Sequence, residues 1–218
     1  MKYFFRGIVI FALGLSLSLG FHWVTQAQVS QPIQRENFSS ASSRSGKQYY
    51  DVGQFSAALQ AWQQELKAYE AEGDKLKQAY TISLISLAYQ QLGQWQAAED
   101  AIASSLALLE KVPDKIGDRT RAQILNRQGR LQLAKGETEA ALQTAKQAEF
   151  FYDRSGDSMG VIGSKINQVR ALQALGLFRQ AQKLLTQVEQ QLDTLEESPV
   201  KVASLHNLGN LYRQTGNL

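Results

Sequence analysis

Apolar side chains between Ala79 and Glu110 fall into two stripes of helical period. In the first, Ile82, Ile85, Tyr89 and Leu92 follow at three- and four-residue steps, which puts them on one face of a helix. In the second, Ala98, Ala101, Ile102 and Leu106 do the same. Gly93-Gln94-Trp95 separates the stripes, and a glycine there ends the first helix in a left-handed cap without a Cβ clash. Ala97 and Ala98 are small enough to let the second helix lie close to the first. The pattern predicts a helical hairpin.

The hairpin recurs. Gly53, Gly93, Gly136, Gly176 and Gly216 return at an even spacing of about 40 residues, with only the step from Gly93 to Gly136 slightly longer. An apolar or short residue follows each of the first four two places on (Phe55, Trp95, Thr138, Phe178), and an alanine three places beyond that (Ala58, Ala98, Ala141, Ala181). A second marker, Gly73-Asp74, Gly117-Asp118 and Gly156-Asp157, precedes the later hairpins at the place of a helix N-cap. Ser198-Pro199 takes that place in the fifth unit, with proline at the first helical position. Self-similarity at this period predicts an all-α, right-handed superhelical solenoid of stacked helical hairpins. The expected solenoid runs over residues 46–218, as four full repeats and a truncated fifth. Nine helices and no sheet are expected, with the four register alanines nearly inaccessible.

Individual units add detail. Trp62 lies at helical spacing with Phe55, Ala58, Leu59 and Leu66, so core packing is expected of it rather than ligand stacking. Val112–Gly117 carries Pro113 and the extra length of the step from Gly93 to Gly136, which predicts a longer surface turn. Lys201–Thr215 forms a good first helix, but the chain stops just after Gly216. The missing partner helix predicts a longer architecture of which this is the N-terminal portion.

These residues carry a resemblance. Ser86, Tyr89, Gly93, Trp95 and Ala98, and again Gly209, Tyr212 and Gly216, resemble the tetratricopeptide repeat, whose usual period is about 34 residues. More narrowly, AALQAWQQELKAYEAEGD and ASLHNLGNLYRQTGNL look like exported bacterial tetratricopeptide proteins that often carry a C-terminal CHAT domain, a caspase-like peptidase. The resemblance runs from about Arg44 to Leu218. Gln132, where an aromatic is expected, and Lys165, where an apolar residue is expected, depart from it. It implies either a non-catalytic protein–protein interaction scaffold or the sensor arm of a longer CHAT peptidase.

Met1–Ala27 forms an export signal: Lys2 and Arg6 precede the apolar run Gly7–Phe21, and Thr25-Gln26-Ala27 offers a cleavage site after Ala27. An exported, periplasmic or extracellular protein is expected, attached to a membrane only if that segment stays uncleaved. Residues 28–45, rich in Ser and Gln and holding Pro32, make a linker. Of 23 basic and 20 acidic residues, only Lys2 and Arg6 lie in the signal, which leaves a formal charge of +1. That balance argues against nucleic acid as a partner. There is no cysteine, so no disulfide framework exists.

Catalysis finds little material. With no cysteine, and with His22 inside the signal, one histidine remains, too few for a Cys–His dyad or a His-rich metal site. No Lys-Ser/Thr follows Ser155-Gly156-Asp157 or Gly160–Gly163, so no phosphate loop is present. Neither cofactor nor metal is expected, and no enzyme activity.

A groove remains. By resemblance, the first helix of each hairpin lines a concave surface through positions about six and ten residues before its glycine. Those are Lys47 and Ser43, Leu87 and Ser83, Arg130 and Asn126, Arg170 and Ile166, and Asn210 and His206, with Arg213 one turn beyond Asn210. The candidate groove is therefore Lys47, Asn126, Arg130, Arg170, His206, Asn210 and Arg213. Its basic side chains suit an acidic peptide or protein segment; the same charges also keep a helix face soluble. The paired Lys and Asn positions of the two-carboxylate clamp in chaperone-binding members are not reproduced.

Overall fold

A computed structural model describes residues 46–194 and, beyond them, the helical residues Lys201, Val202, Leu205, His206 and Gly209. The expected export signal (residues 1–27), the expected linker (28–45), Asn210 and Arg213 lie outside the described residues. A first helix, α1, covers residues 46–51. Then follow α2 (Phe55–Glu72), α3 (Lys75–Gln91), α4 (Trp95–Leu109), α5 (Asp114–Ala134), α6 (Thr138–Arg154), α7 (Ser158–Ala174) and α8 (Phe178–Asp193). No strand occurs among the described residues. Each helix from α2 to α8 packs on its neighbours in sequence, and α5 also touches α3 and α7. The hairpins therefore stack with their first helices side by side.

The glycine register works as local physics requires. Gly93 has φ of 72°, and its N–H donates to the Gln90 carbonyl at 3.1 Å while the Gln94 N–H reaches Tyr89 at 2.9 Å. Those two bonds satisfy carbonyls that the end of α3 would leave bare. Gly53, Gly136 and Gly176 sit at the same turns with φ of 80°, 81° and 73°. Two of the three expected aspartate caps are in place. Asp74 accepts from the Lys77 N–H at 3.0 Å and Asp157 from the Gly160 N–H at 2.8 Å. Burial alone would raise the Asp74 pKa; the Lys77 N–H, its side chain and the Leu76 N–H outweigh that and hold it lowered.

Asp118 is not a cap. Helix α5 starts at Asp114, directly after Pro113, so Asp118 falls inside it and is buried. The expected long surface turn is likewise corrected. Helix α5 has 21 residues where α3 and α7 have 17, so the extra length of this repeat extends a helix. The carboxylate of Asp118 instead receives Arg154 at the end of α6, with Nε–Oδ2 and Nη2–Oδ1 both 2.9 Å.

Packing follows the repeat. Ala58, Ala98, Ala141 and Ala181 are 0–3% exposed, so the close approach expected of them is present. The core is a string of clusters, each joining neighbouring hairpins: Ala58 and Trp62 with Ile85 and Ala88, then Ala98, Ile102 and Leu109 with Ile124 and Leu131. Trp62 is core, 1% exposed, with the Tyr50 ring 5.8 Å away. Lys165 serves where an apolar residue was expected, because its ammonium lies 3.7 Å from Glu149 and donates to Gln191 at 3.0 Å. That links α7 to both α6 and α8.

A substitution tests one of these approaches. Ala98→Phe should destabilise the chain by about 1–3 kcal/mol, since a ring has no void to enter between α3 and α4. Thermal unfolding followed by circular dichroism reads this out; an unchanged midpoint would count against the packing.

Candidate binding cleft

The repeat places equivalent side chains of α5 and α7 next to one another. Gln123, Asn126, Arg127 and Arg130 on α5 correspond, one repeat on, to Gly163, Ile166, Asn167 and Arg170 on α7. Their spacing of three and four residues keeps each set on one helix face. All eight line a cleft of about 560 Å³. Leu87 of α3 closes one side, and Tyr152 near the end of α6 enters the wall. Tyr152 can lie there because Gly160 has no side chain: a Cβ on Gly160 would stand 2.1 Å from the ring.

Polar contacts fix the wall. Asn126 Oδ1 accepts from Asn167 Nδ2 at 3.2 Å and lies 3.1 Å from Ser164 Oγ, whose single proton is shared with the Gly160 carbonyl at 3.0 Å. Asn126 also hydrogen-bonds Tyr152. Burial raises the Tyr152 pKa, against the opposing pull of Arg127 and this hydrogen bond. The phenol is therefore neutral at physiological pH and acts as a hydrogen-bonding group.

Arg127, Arg130 and Arg170 set the charge. The Arg127 guanidinium lies over the Tyr80 ring, 4.8 Å from its centroid, a cation–π contact. Its Nη1 is buried with no hydrogen-bond partner among the described residues. Burial lowers the Arg127 pKa; Tyr80 and Tyr152 oppose this, and Arg130 adds to it. Burial, then Arg130, lowers Arg170 as well. Arg127 and Arg170 nevertheless stay charged, because guanidinium does not deprotonate in proteins. No Asp or Glu lines the cleft, and among the described residues none forms an ion pair with these arginines. The arrangement is a partly desolvated cationic recess.

A second cleft of about 390 Å³ shares Gln123 with the first and continues along the same helix faces. Tyr69, Leu76, Tyr80 and Thr81 line it together with Lys77, Arg119 and the buried carboxylate of Glu65. Arg119 is held by Asp157 at 2.8 Å. No group of three or more His, Cys, Asp or Glu placed to hold a metal occurs among the described residues. None of the described helices is long and apolar enough to cross a membrane.

The geometry has relatives among solved structures. The TPR-like repeats of a Podosopora anserina protein described as a kinesin light chain align with 81% of this chain and 86% of their own, at 23% identity and a TM-score of 0.61. BtubC (BKLC) from P. vanneervenii aligns with 79% of this chain and 71% of its own, at 17% identity and a TM-score of 0.61. The fold is a tetratricopeptide-like solenoid. No protein-family model and no curated protein matches the chain.

Within this tetratricopeptide-like frame the expected groove residues divide. Asn126, Arg130 and Arg170 share the cleft, together with Leu87 and Ile166. Lys47 is not among its lining residues; it is exposed on α1 and pairs with Asp51 at 2.5 Å. His206 is exposed and also lies outside the lining. Ser83 is corrected: it is fully buried and its hydroxyl donates to the Tyr80 carbonyl at 2.6 Å, so it offers nothing to a groove. Arg127, Asn167 and Tyr152 were missed. The signal for the first two was present, since Gln123, Arg127 and Arg130 form a four-and-three stripe that α7 repeats.

Proposed function

We propose that this chain is an exported, non-catalytic interaction scaffold whose cleft between α5 and α7 binds an acidic segment of a protein partner. The observation that carries the reading is the convergence of Arg127, Arg130 and Arg170 on one recess with no carboxylate in its lining. Guanidinium groups form bidentate, charge-assisted bonds with carboxylates, and partial burial strengthens them. Export rests on the N-terminal pattern of Lys2 and Arg6, the apolar run and Thr25-Gln26-Ala27.

Fluorescence anisotropy with short peptide mixtures tests this. The mixtures are randomised except for two fixed central residues, Glu-Glu in one and Gln-Gln in the other. The glutamate mixture should bind more tightly, and its affinity should fall as salt rises from about 0.05 to 0.5 M, where screening shortens from over 10 Å to a few Å. Equal binding of the two mixtures, or binding indifferent to salt, would overturn the reading.

A further inference from the structure

The recess holds more positive charge than one carboxylate answers. Arg127 and Arg130 stand three residues apart on α5, and Arg170 lies one repeat on, across the cleft on α7. A single carboxylate matches one guanidinium fork and leaves two cations facing each other. Arg127 also carries a buried Nη1 donor without an acceptor among the described residues. The Tyr80 ring, 4.8 Å from the guanidinium, holds this side chain in the wall of the cleft.

We propose that this recess recognises a phosphoryl group on the bound segment, with Arg127, Arg130 and Arg170 as its three anchors. The inference rests on the peptide-binding reading and names the group that occupies the cleft. A phosphorylated side chain carries about −1.5 to −2 charge and three acceptor oxygens, against one charge and two oxygens for a carboxylate. Three arginines from two helices can address three oxygens of a tetrahedral group from different sides. A planar carboxylate cannot fill all three directions. The surrounding polar groups agree: the Asn126 oxygen is already occupied by Asn167 and Ser164, which leaves Arg127 Nη1 for a ligand oxygen.

The electrostatics point the same way. Burial and the Arg130 charge destabilise the cationic forms of Arg127 and Arg170. A dianion relieves that mutual repulsion more than a monoanion does. The buried Nη1 of Arg127 also separates this arrangement from a merely soluble helix face, whose charged heads would stand in water.

The test uses the whole chain and three peptide mixtures, randomised except for a central serine, glutamate or phosphoserine. Their dissociation constants are measured by anisotropy on the unaltered chain and on Arg127→Gln and Arg170→Gln, with circular dichroism confirming that each variant is folded. Phosphoserine should bind at least roughly tenfold more tightly than glutamate, the equivalent of about 1.4 kcal/mol. Either substitution should reduce that preference to about twofold or less. Equal affinity for phosphoserine and glutamate, both above serine, would overturn the phosphoryl proposal and leave the acidic-segment reading standing. Equal affinity for all three would overturn both. A preference unchanged in both variants would place the phosphoryl site elsewhere and overturn the assignment. Inorganic phosphate serves as competitor: it should displace the phosphoserine mixture only at much higher concentration, and equal potency would mean a free anion is the ligand rather than a segment.

Discussion

Replacing Arg154 by alanine should destabilise the chain by about 3 kcal/mol, the lower end of what breaking a buried ion pair costs. Asp118 is 1% exposed and accepts both of its strong bonds from this one guanidinium. Without Arg154 its charge would sit between α5 and α6 with no counter-charge. The lower end applies because 37% of the Arg154 side chain remains exposed, so some water can reach the vacated space. Arg154 also lies 5.4 Å from the ring centroids of both Phe150 and Phe151, and that packing is lost with it. At roughly 2–4 °C per kcal/mol for a chain of this size, the melting midpoint should fall by about 6–12 °C. A companion variant, Asp118→Leu with Arg154→Met, removes both charges and should recover most of the loss. A single-variant loss under about 1 kcal/mol would show that the pair is not a structural link.

That pair also shows where the sequence misleads. Gly117-Asp118 has the same two residue types as Gly73-Asp74 and Gly156-Asp157 at nearly the same distance from the hairpin glycine. Local pattern alone assigns all three the same role. What differs is Pro113, whose fixed φ starts the helix at Asp114 and turns Asp118 from a terminus into an interior position. The partner that makes a buried aspartate tolerable, Arg154, is 36 residues away. A short window does not contain that information.

The stack itself was legible because its determinants are local and repeated. A glycine at the left-handed turn and an alanine at the helix crossing are each demanded by backbone geometry or by contact distance, so residue type records position. Lys165 and Gln132 broke the pattern for different reasons. Lys165 finds partners in Glu149 and Gln191, whereas the buried Gln132 Oε1 has none among the described residues. The cleft was half legible. The rule of six and ten residues before the glycine found Asn126, Arg130 and Arg170, but it samples only two positions of a broader stripe. It passed over Arg127, and it included Ser83, which α3 buries. Tyr152 could not be found that way, since it reaches the cleft from a second helix through the gap at Gly160.

Reversing two charges should abolish binding of an acidic segment. Arg130→Glu with Arg170→Glu removes two of the three cations in the recess and introduces two anions facing the ligand. Hydrogen bonds to charged groups are worth about 1.5–3 kcal/mol each, so two lost bonds alone predict a loss on the order of a hundredfold or more. Like-charge repulsion adds to it. The helical signal should survive, because Arg130 is exposed and Arg170 half-buried, and neither belongs to the apolar clusters that hold the hairpins together. Arg127 is left in place deliberately, since its stack on Tyr80 ties it to the fold. Anisotropy with the glutamate mixture gives the affinity, and circular dichroism the integrity of the stack. The matching control is Arg130→Gln with Arg170→Gln, which should weaken binding less than the reversal. If the reversed variant still binds the glutamate mixture within about threefold of the original, the two arginines do not face the ligand and the cleft is not its site.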